Sequence, residues 1–176
     1  MLAVWAVARH VGKKRPHRQF MVKQLPLSLL GARKGELRTQ FGALCYRIRR
    51  DKVQILVITS RRSKRWIVPK GWPMEGKTPA VSAATEAWEE AGVRGKPDET
   101  ALGVYTYGKN RGEGDELPCL VMVFPLLVKS LAKKFPESGQ RRRRWVSRKK
   151  AAKMVAEEDL AQLILKFDPP RSRKRS

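Results

Sequence analysis

The sequence is short of histidine, cysteine and aromatic residues, and each shortage excludes something. Its two histidines, His10 and His17, both fall in the basic N-terminal stretch. That argues against a Ser-His-Asp site or a His-based metal site within a folded core. Two cysteines, Cys45 and Cys119, are too few for a disulfide framework. Each sits inside an apolar segment and reads as a buried thiol in a reducing cytoplasm. Aromatics are only 7% of the chain, and no aromatic-rich RNA-binding signature is present. No apolar run approaches the ~20 residues of a transmembrane helix. The opening MLAVWAVAR also lacks the basic start of a secretory signal.

Acidic residues are scarce as well: 16 against 39 Lys plus Arg, a formal net charge of +23. Such a charge specifies no fold but attracts polyanions, whether nucleic acid, polyphosphate or anionic membrane. A length of 176 residues with 41% hydrophobic composition suits one ordinary domain with tails. The acids are unevenly spread. None occurs before Glu36, yet nine of the sixteen lie between Glu75 and Glu116. A basic protein has gathered its negative charge into one stretch.

Residues 1–24 combine basic residues and Pro16 without periodicity and read as a flexible basic arm. Met21 is a candidate translation start, because the compact pattern begins after it. Residues 25–167 form the expected domain, and the basic run 168–176 a disordered tail. Gln40–Ile48 and Val53–Thr59 are β-prone runs flanking a polar turn, the pattern of a hairpin. A short strand is expected at Trp66–Pro69, then a Gly/Pro loop over Lys70–Thr78. Thr78 and Pro79 read as an N-cap and first helical residue, with Gly92 as a left-handed stop. Strands follow at Leu102–Tyr107 and Leu120–Val128, then a short one at Trp145–Val146. Helices follow at Arg148–Ala156, capped by Ser147, and at Asp159–Phe167. The mixture gives an α/β (α+β) domain.

Glu86, Glu89 and Glu90 stand at i, i+3 and i+4, on one face of the Thr78–Gly92 helix and in its last two turns. Carboxylates there oppose the helix dipole at about 0.3–1 kcal/mol each. A divalent cation would neutralise the cluster: Mg²⁺ takes carboxylate oxygens, keeps several waters and bridges to substrate phosphates.

The segment Gly71–Val93 resembles the signature of the Nudix hydrolases, G-x5-E-x7-R-E-U-x-E-E-x-G-U with U a bulky aliphatic. Gly71, Glu86, Glu89, Glu90, Gly92 and Val93 match at the required offsets, with Ala87 small at the first U. Two positions depart: Lys77 stands at the first Glu, and Thr85 at the Arg that in the family orients the catalytic Glu, here Glu86. Glu75 is a candidate compensator. The resemblance covers residues 40–167 and implies an α/β/α sandwich with a mixed sheet and a loop-helix-loop signature. It also implies Mg²⁺ (or Mn²⁺) as cofactor, with Glu86, Glu89 and Glu90 as catalytic and metal-binding residues and the Gly71 carbonyl as a fourth ligand. The loop acids Asp115 and Glu116 are further candidates for the general base.

The junction Trp66-Ile-Val-Pro-Lys-Gly71 resembles the subgroup acting on diphosphoinositol and dinucleoside polyphosphates. Lys70 would aim a cation at phosphates. Arg61, Arg62 and Arg65, with Arg142 in the Arg141–Arg144 run, would grip a phosphate-rich substrate. Trp66, Trp72, Trp88 and Trp145 read as packing residues. Three functions are carried forward. The first is a Mg²⁺-dependent pyrophosphohydrolase acting on a polyphosphorylated small molecule. The second is an RNA 5′-end pyrophosphohydrolase, with nucleic acid bound through the basic surface. The third is a non-catalytic nucleotide or nucleic-acid binding module.

Overall fold

The computed structural model describes residues 38–110 and 116–169. The expected arm, most of the tail, the Met21 start and the Asp115 candidate lie outside the described residues. Within them the order is β1 (Arg38–Arg49), β2 (Lys52–Thr59), β3 (Trp66–Ile67), β4 (Lys70–Gly71), α1 (Pro79–Ala91) and β5 (Val93–Pro97). Next come β6 (Gly103–Asn110), β7 (Glu116–Leu131), β8 (Arg143–Ser147), α2 (Arg148–Met154) and α3 (Glu158–Lys166).

All eight strands join one mixed sheet with the path β3-β2-β1-β7-β5. The β1–β2 hairpin is antiparallel, registered from Tyr46↔Ile55 to Arg49↔Lys52. Its turn holds Arg50 and Asp51 at φ +49° and +56°, the mirror-image turn that matches strand twist. Beyond Tyr46 the two strands part company. β1 pairs with β4 through Phe41↔Gly71 and Gly42↔Lys70, while β2 pairs with β3 through Ile58↔Ile67 and Thr59↔Trp66. Residues 66–71 therefore fill a fork between two strands that are neighbours farther along. The other edge of β1 runs parallel to β7, from Arg38↔Cys119 to Tyr46↔Leu127. β7 carries β6 and β5 in succession on its far side.

Two apolar clusters cover the two faces. On one, Leu44, Ile55, Val57, Tyr105, Val121 and Val123 pack with Leu160 and Ile164 of α3. On the other, Cys45, Leu56, Ile58, Phe124 and Leu126 meet the alanines of α1. Ala80, Ala83, Ala87 and Ala91 recur at helical spacing and are all buried. With one methyl each, they seat α1 close to the sheet. Thr78 caps the helix by accepting from Val81 N–H at 3.3 Å, and Gly92 ends it at φ +63°.

The structure moves several expected boundaries. Of the expected Trp66–Pro69 strand only Trp66–Ile67 is strand (β3), and a second short strand, β4, opens the expected Lys70–Thr78 loop, because the chain changes partners from β2 to β1 between them. β5 was not expected, since Val93-Arg-Gly-Lys-Pro97 offers neither alternation nor an apolar run. β7 is longer than the expected Leu120–Val128, spanning both Pro118 and Pro125.

Candidate functional site

The site forms where α1 crosses the fork. Gly71 in β4 lies under Glu86: a Cβ built on Gly71 would fall 1.9 Å from Glu86 Oε1. The absent side chain is what admits the carboxylate. Glu86 forms no ion pair with any described residue. Burial, followed by Glu90, Glu89 and Glu137, pushes its carboxyl up to about 7 against the weaker pull of Arg141.

Glu90, one turn on, is only 7% exposed and is held on both oxygens. Lys70 N–H donates to Oε2 at 3.1 Å, and Arg141 Nη2 donates to Oε1. Burial still raises its carboxyl, opposed by Arg141 and Lys70. Arg141 also donates from Nε to Glu137 Oε2 at 2.5 Å and from Nη1 to the Thr59 carbonyl at 3.2 Å. Glu137 N–H in turn donates to the Glu89 carbonyl at 3.0 Å.

The end of α1 is thus tied to the loop between β7 and β8. Arg143 Nη1 donates to the Ala91 carbonyl at 2.7 Å and to the Ala132 carbonyl at 3.1 Å. Two arginines from the Arg141–Arg144 run already supply positive charge there. Neither is turned out to grip a substrate.

The other candidates are placed as follows. Lys70 has its side chain over the Tyr107 ring, 4.8 Å to the centroid, and its desolvation lowers the ammonium pKa. Arg61 is 61% exposed and reaches Glu137 Oε1 at 3.4 Å. Arg62 is exposed, and Arg65 donates from Nε to Ser63 Oγ at 3.4 Å. Arg142 lies with its guanidinium 5.9 Å from the Trp66 ring centroid. The Glu116 backbone pairs with Asn110 at the start of β7. Glu75 is exposed. Trp66 and Trp145 pack against the core clusters. Trp88 does not: it is half-buried under the Arg94 guanidinium, 4.9 Å from its centroid.

Sequence reasoning missed Glu137. The signal available was its place four residues before Arg141, in a stretch with no helical pattern to draw attention to that spacing.

Among the described residues no group of three His, Cys, Asp or Glu side chains stands ready to enclose a metal ion. The donor chemistry nevertheless fits a hard divalent cation. Glu86 is partly buried among three other carboxylates, with no ion-pair partner among the described residues and no Cβ beneath it. Glu86, Glu89, Glu90 and the Gly71 carbonyl are the oxygen donors that would hold it. Also among the described residues, no helix is long and apolar enough to cross a membrane.

Comparison with known proteins locates this arrangement. A family model described as NUDIX domain matches residues 38–167. The chain is 31% identical over 123 residues to "Nudix hydrolase 13, mitochondrial" of Arabidopsis thaliana, covering 66% of this chain and 60% of the relative. It is 34% identical over 114 residues to "Diphosphoinositol polyphosphate phosphohydrolase 3-alpha" of Mus musculus, covering 64% and 65%. The chain therefore spans less than two thirds of the length of these curated relatives. Among solved structures, a C. elegans Ap4A hydrolase superimposes with TM-score 0.55 at 20% identity, over 74% of this chain and 94% of that one. The MutT protein of Methanosarcina mazei does so with TM-score 0.57 at 20% identity, over 78% and 96%. At that identity the likeness is one of fold.

Proposed function

Because this chain belongs to the NUDIX family, we propose that it is a hydrolase of phosphoric anhydrides, dependent on Mg²⁺ or Mn²⁺. Its substrate in this reading is a polyphosphorylated small molecule of the diphosphoinositol or dinucleoside polyphosphate class. The observation that carries the reading is the pairing of Glu86 with the side-chain-free Gly71, beside a Glu90 fixed by Lys70 N–H and Arg141. The mouse and human relatives named as diphosphoinositol polyphosphate phosphohydrolases support the substrate class.

A bound divalent cation would screen phosphate charge and stabilise the leaving diphosphate oxygen. The chain's part is positioning. Glu86, Glu89 and Glu90 project from one helix face, and the alanine seat of α1 keeps them at the fork. Lys70 N–H and Arg141 hold Glu90 in one orientation. Glu86 and Glu89, which make no ion pair among the described residues, are the carboxylates available to accept a proton from attacking water. Arg61 and Arg62, on the exposed turn after β2, supply cations for the outer phosphates. The thiols of Cys45 and Cys119, both buried, suit a reducing compartment, the cytoplasm in this reading.

The net charge of +23 favours a second reading, in which the diphosphate is the 5′ end of RNA. One panel separates the readings. Metal-dependent turnover is measured on inositol pyrophosphates, dinucleoside polyphosphates, nucleoside triphosphates and triphosphorylated RNA, with Glu90→Gln as control. The expected result is turnover of a small polyphosphate, abolished in the control. Turnover of RNA alone selects the second reading. No turnover of any, with metal bound, makes the domain a binding module.

A further inference from the structure

Thr85 occupies the signature position that otherwise carries a guanidinium, and its hydroxyl is fully engaged elsewhere. It donates to the Val81 carbonyl at 3.0 Å and accepts from Lys77 Nζ at 3.1 Å. Neither contact touches a carboxylate of the site. A guanidinium does reach the cluster, from more than fifty residues away. The Arg141 side chain is only 5% exposed, and its donors are spread over Glu90, Glu137 and Thr59.

Its attachment is rigid. On the neighbouring residue, Arg142 N–H donates to Thr59 Oγ1 at 2.9 Å, and Thr59 N–H donates to the Arg142 carbonyl at 3.0 Å. The root of Arg141 is therefore locked to the end of β2, the outer arm of the fork. From there it fixes one oxygen of Glu90 while β4 fixes the other. A planar fork with several donors suits this task in a way an ammonium does not. A buried guanidinium serving two carboxylates and a carbonyl is committed to protein, not to a substrate phosphate.

We propose that Arg141 is the positioning residue for Glu90, supplying from the β7–β8 loop the guanidinium that the signature lacks at position 85. The inference rests on the proposed reading of the carboxylates as a metal site. Groups that orient metal-binding carboxylates are worth about 10–100-fold in metal affinity or activity. Glu137 has a subordinate part: it fills the guanidinium's second side and prevents rotation away from Glu90.

The test is Mn²⁺ binding by the whole chain without substrate, followed by the electron paramagnetic resonance signal of free Mn²⁺. Arg141→Lys keeps the charge and removes the fork; Arg141→Gln removes both. Affinity is expected to fall at least about tenfold in Arg141→Gln and by a smaller factor in Arg141→Lys. In a Glu90→Gln background, the same changes should have no further effect, because Arg141 acts through Glu90. Should Arg141→Gln fail to fold, Arg141→Lys carries the comparison. Mn²⁺ affinities equal to the unaltered chain's in both variants would overturn the inference. So would losses that simply add to that of Glu90→Gln, the sign of a general structural role. If the unaltered chain binds no Mn²⁺, the metal-site reading falls first, so the two failures are told apart.

Discussion

Lys77 and Thr85, the two residues that depart from the signature, are hydrogen-bonded to each other: Lys77 Nζ donates to Thr85 Oγ1 at 3.1 Å. Lys77 also approaches Met74 Sδ at 3.4 Å. The departures are one paired exchange, linking the loop before α1 to its second turn.

Reinstating the signature residues should therefore work only in combination. Lys77→Glu alone leaves a carboxylate without its partner near an acidic cluster, and Thr85→Arg alone sets a guanidinium against Lys77. The double variant can form an ion pair across the same gap. Denaturation of both singles and the double should give a favourable coupling of about 0.5–1 kcal/mol. Additive effects would show that the two positions act independently.

The carboxyl of Glu86, raised from 4.5 to about 7, makes metal-free stability depend on pH. Its folded pKa exceeds its unfolded one, so the folded state holds the extra proton between them. Stability from this group is greatest below about 4.5 and falls as pH rises through about 7. Linkage alone gives about 2.5 kcal/mol lost from pH 5 to pH 8, and solvent screening of this half-buried carboxyl should cut the loss seen by thermal unfolding in chelator to about 1–2 kcal/mol. Glu86→Gln should flatten that slope, and added Mg²⁺ should oppose it by favouring the ionised form. A slope untouched by Glu86→Gln would assign it to other groups.

Gly71→Ala isolates the seat of Glu86. The new methyl would collide with the Glu86 carboxylate, the far end of a flexible side chain, so Glu86 swings away and the fold tolerates it. Hydrolysis and metal affinity should fall about 10–100-fold, with a stability loss of only about 1 kcal/mol. A large loss of stability with metal binding intact would contradict this account.

Arg143→Ala should behave the opposite way. It removes a charged donor from the Ala91 and Ala132 carbonyls, leaving the end of α1 without that cation. Urea unfolding should show a loss of about 1–3 kcal/mol. Metal affinity, which depends on the glutamates and their orientation, should change much less.

How far the sequence foretold this arrangement differs element by element. α1 was legible from Thr78 to Gly92, because capping and termination are local chemistry written in adjacent residues. The β1–β2 hairpin was legible for the same reason. β5 was not: it exists because β7 offers an open edge beside Val93, a property of the partner strand. The spacing of Glu86, Glu89 and Glu90 and the match at Gly71 were visible as offsets along the chain. What surrounds them was not. The Arg141–Arg144 run read as a phosphate grip, yet alternate members turn inward, and only the register of β8 against β2 decides which. Glu137 carried only one local signal, its place four residues before Arg141, and no helical pattern made that spacing meaningful.

The fork between β1 and β2 has a consequence for the kind of control the site receives. Where two strands separate, the segment filling the gap keeps main-chain groups whose usual strand neighbour is missing. One of these, the Lys70 amide, is spent on Glu90. A peptide N–H is neutral, has no rotamers to freeze and does not titrate. One of the two restraints on Glu90 is therefore indifferent to acidity and hard to remove by exchanging a side chain. The other, Arg141, is a side chain open to substitution. A lineage of such proteins could retune the carboxylate from one side while the other stays constant, built into the course of the backbone.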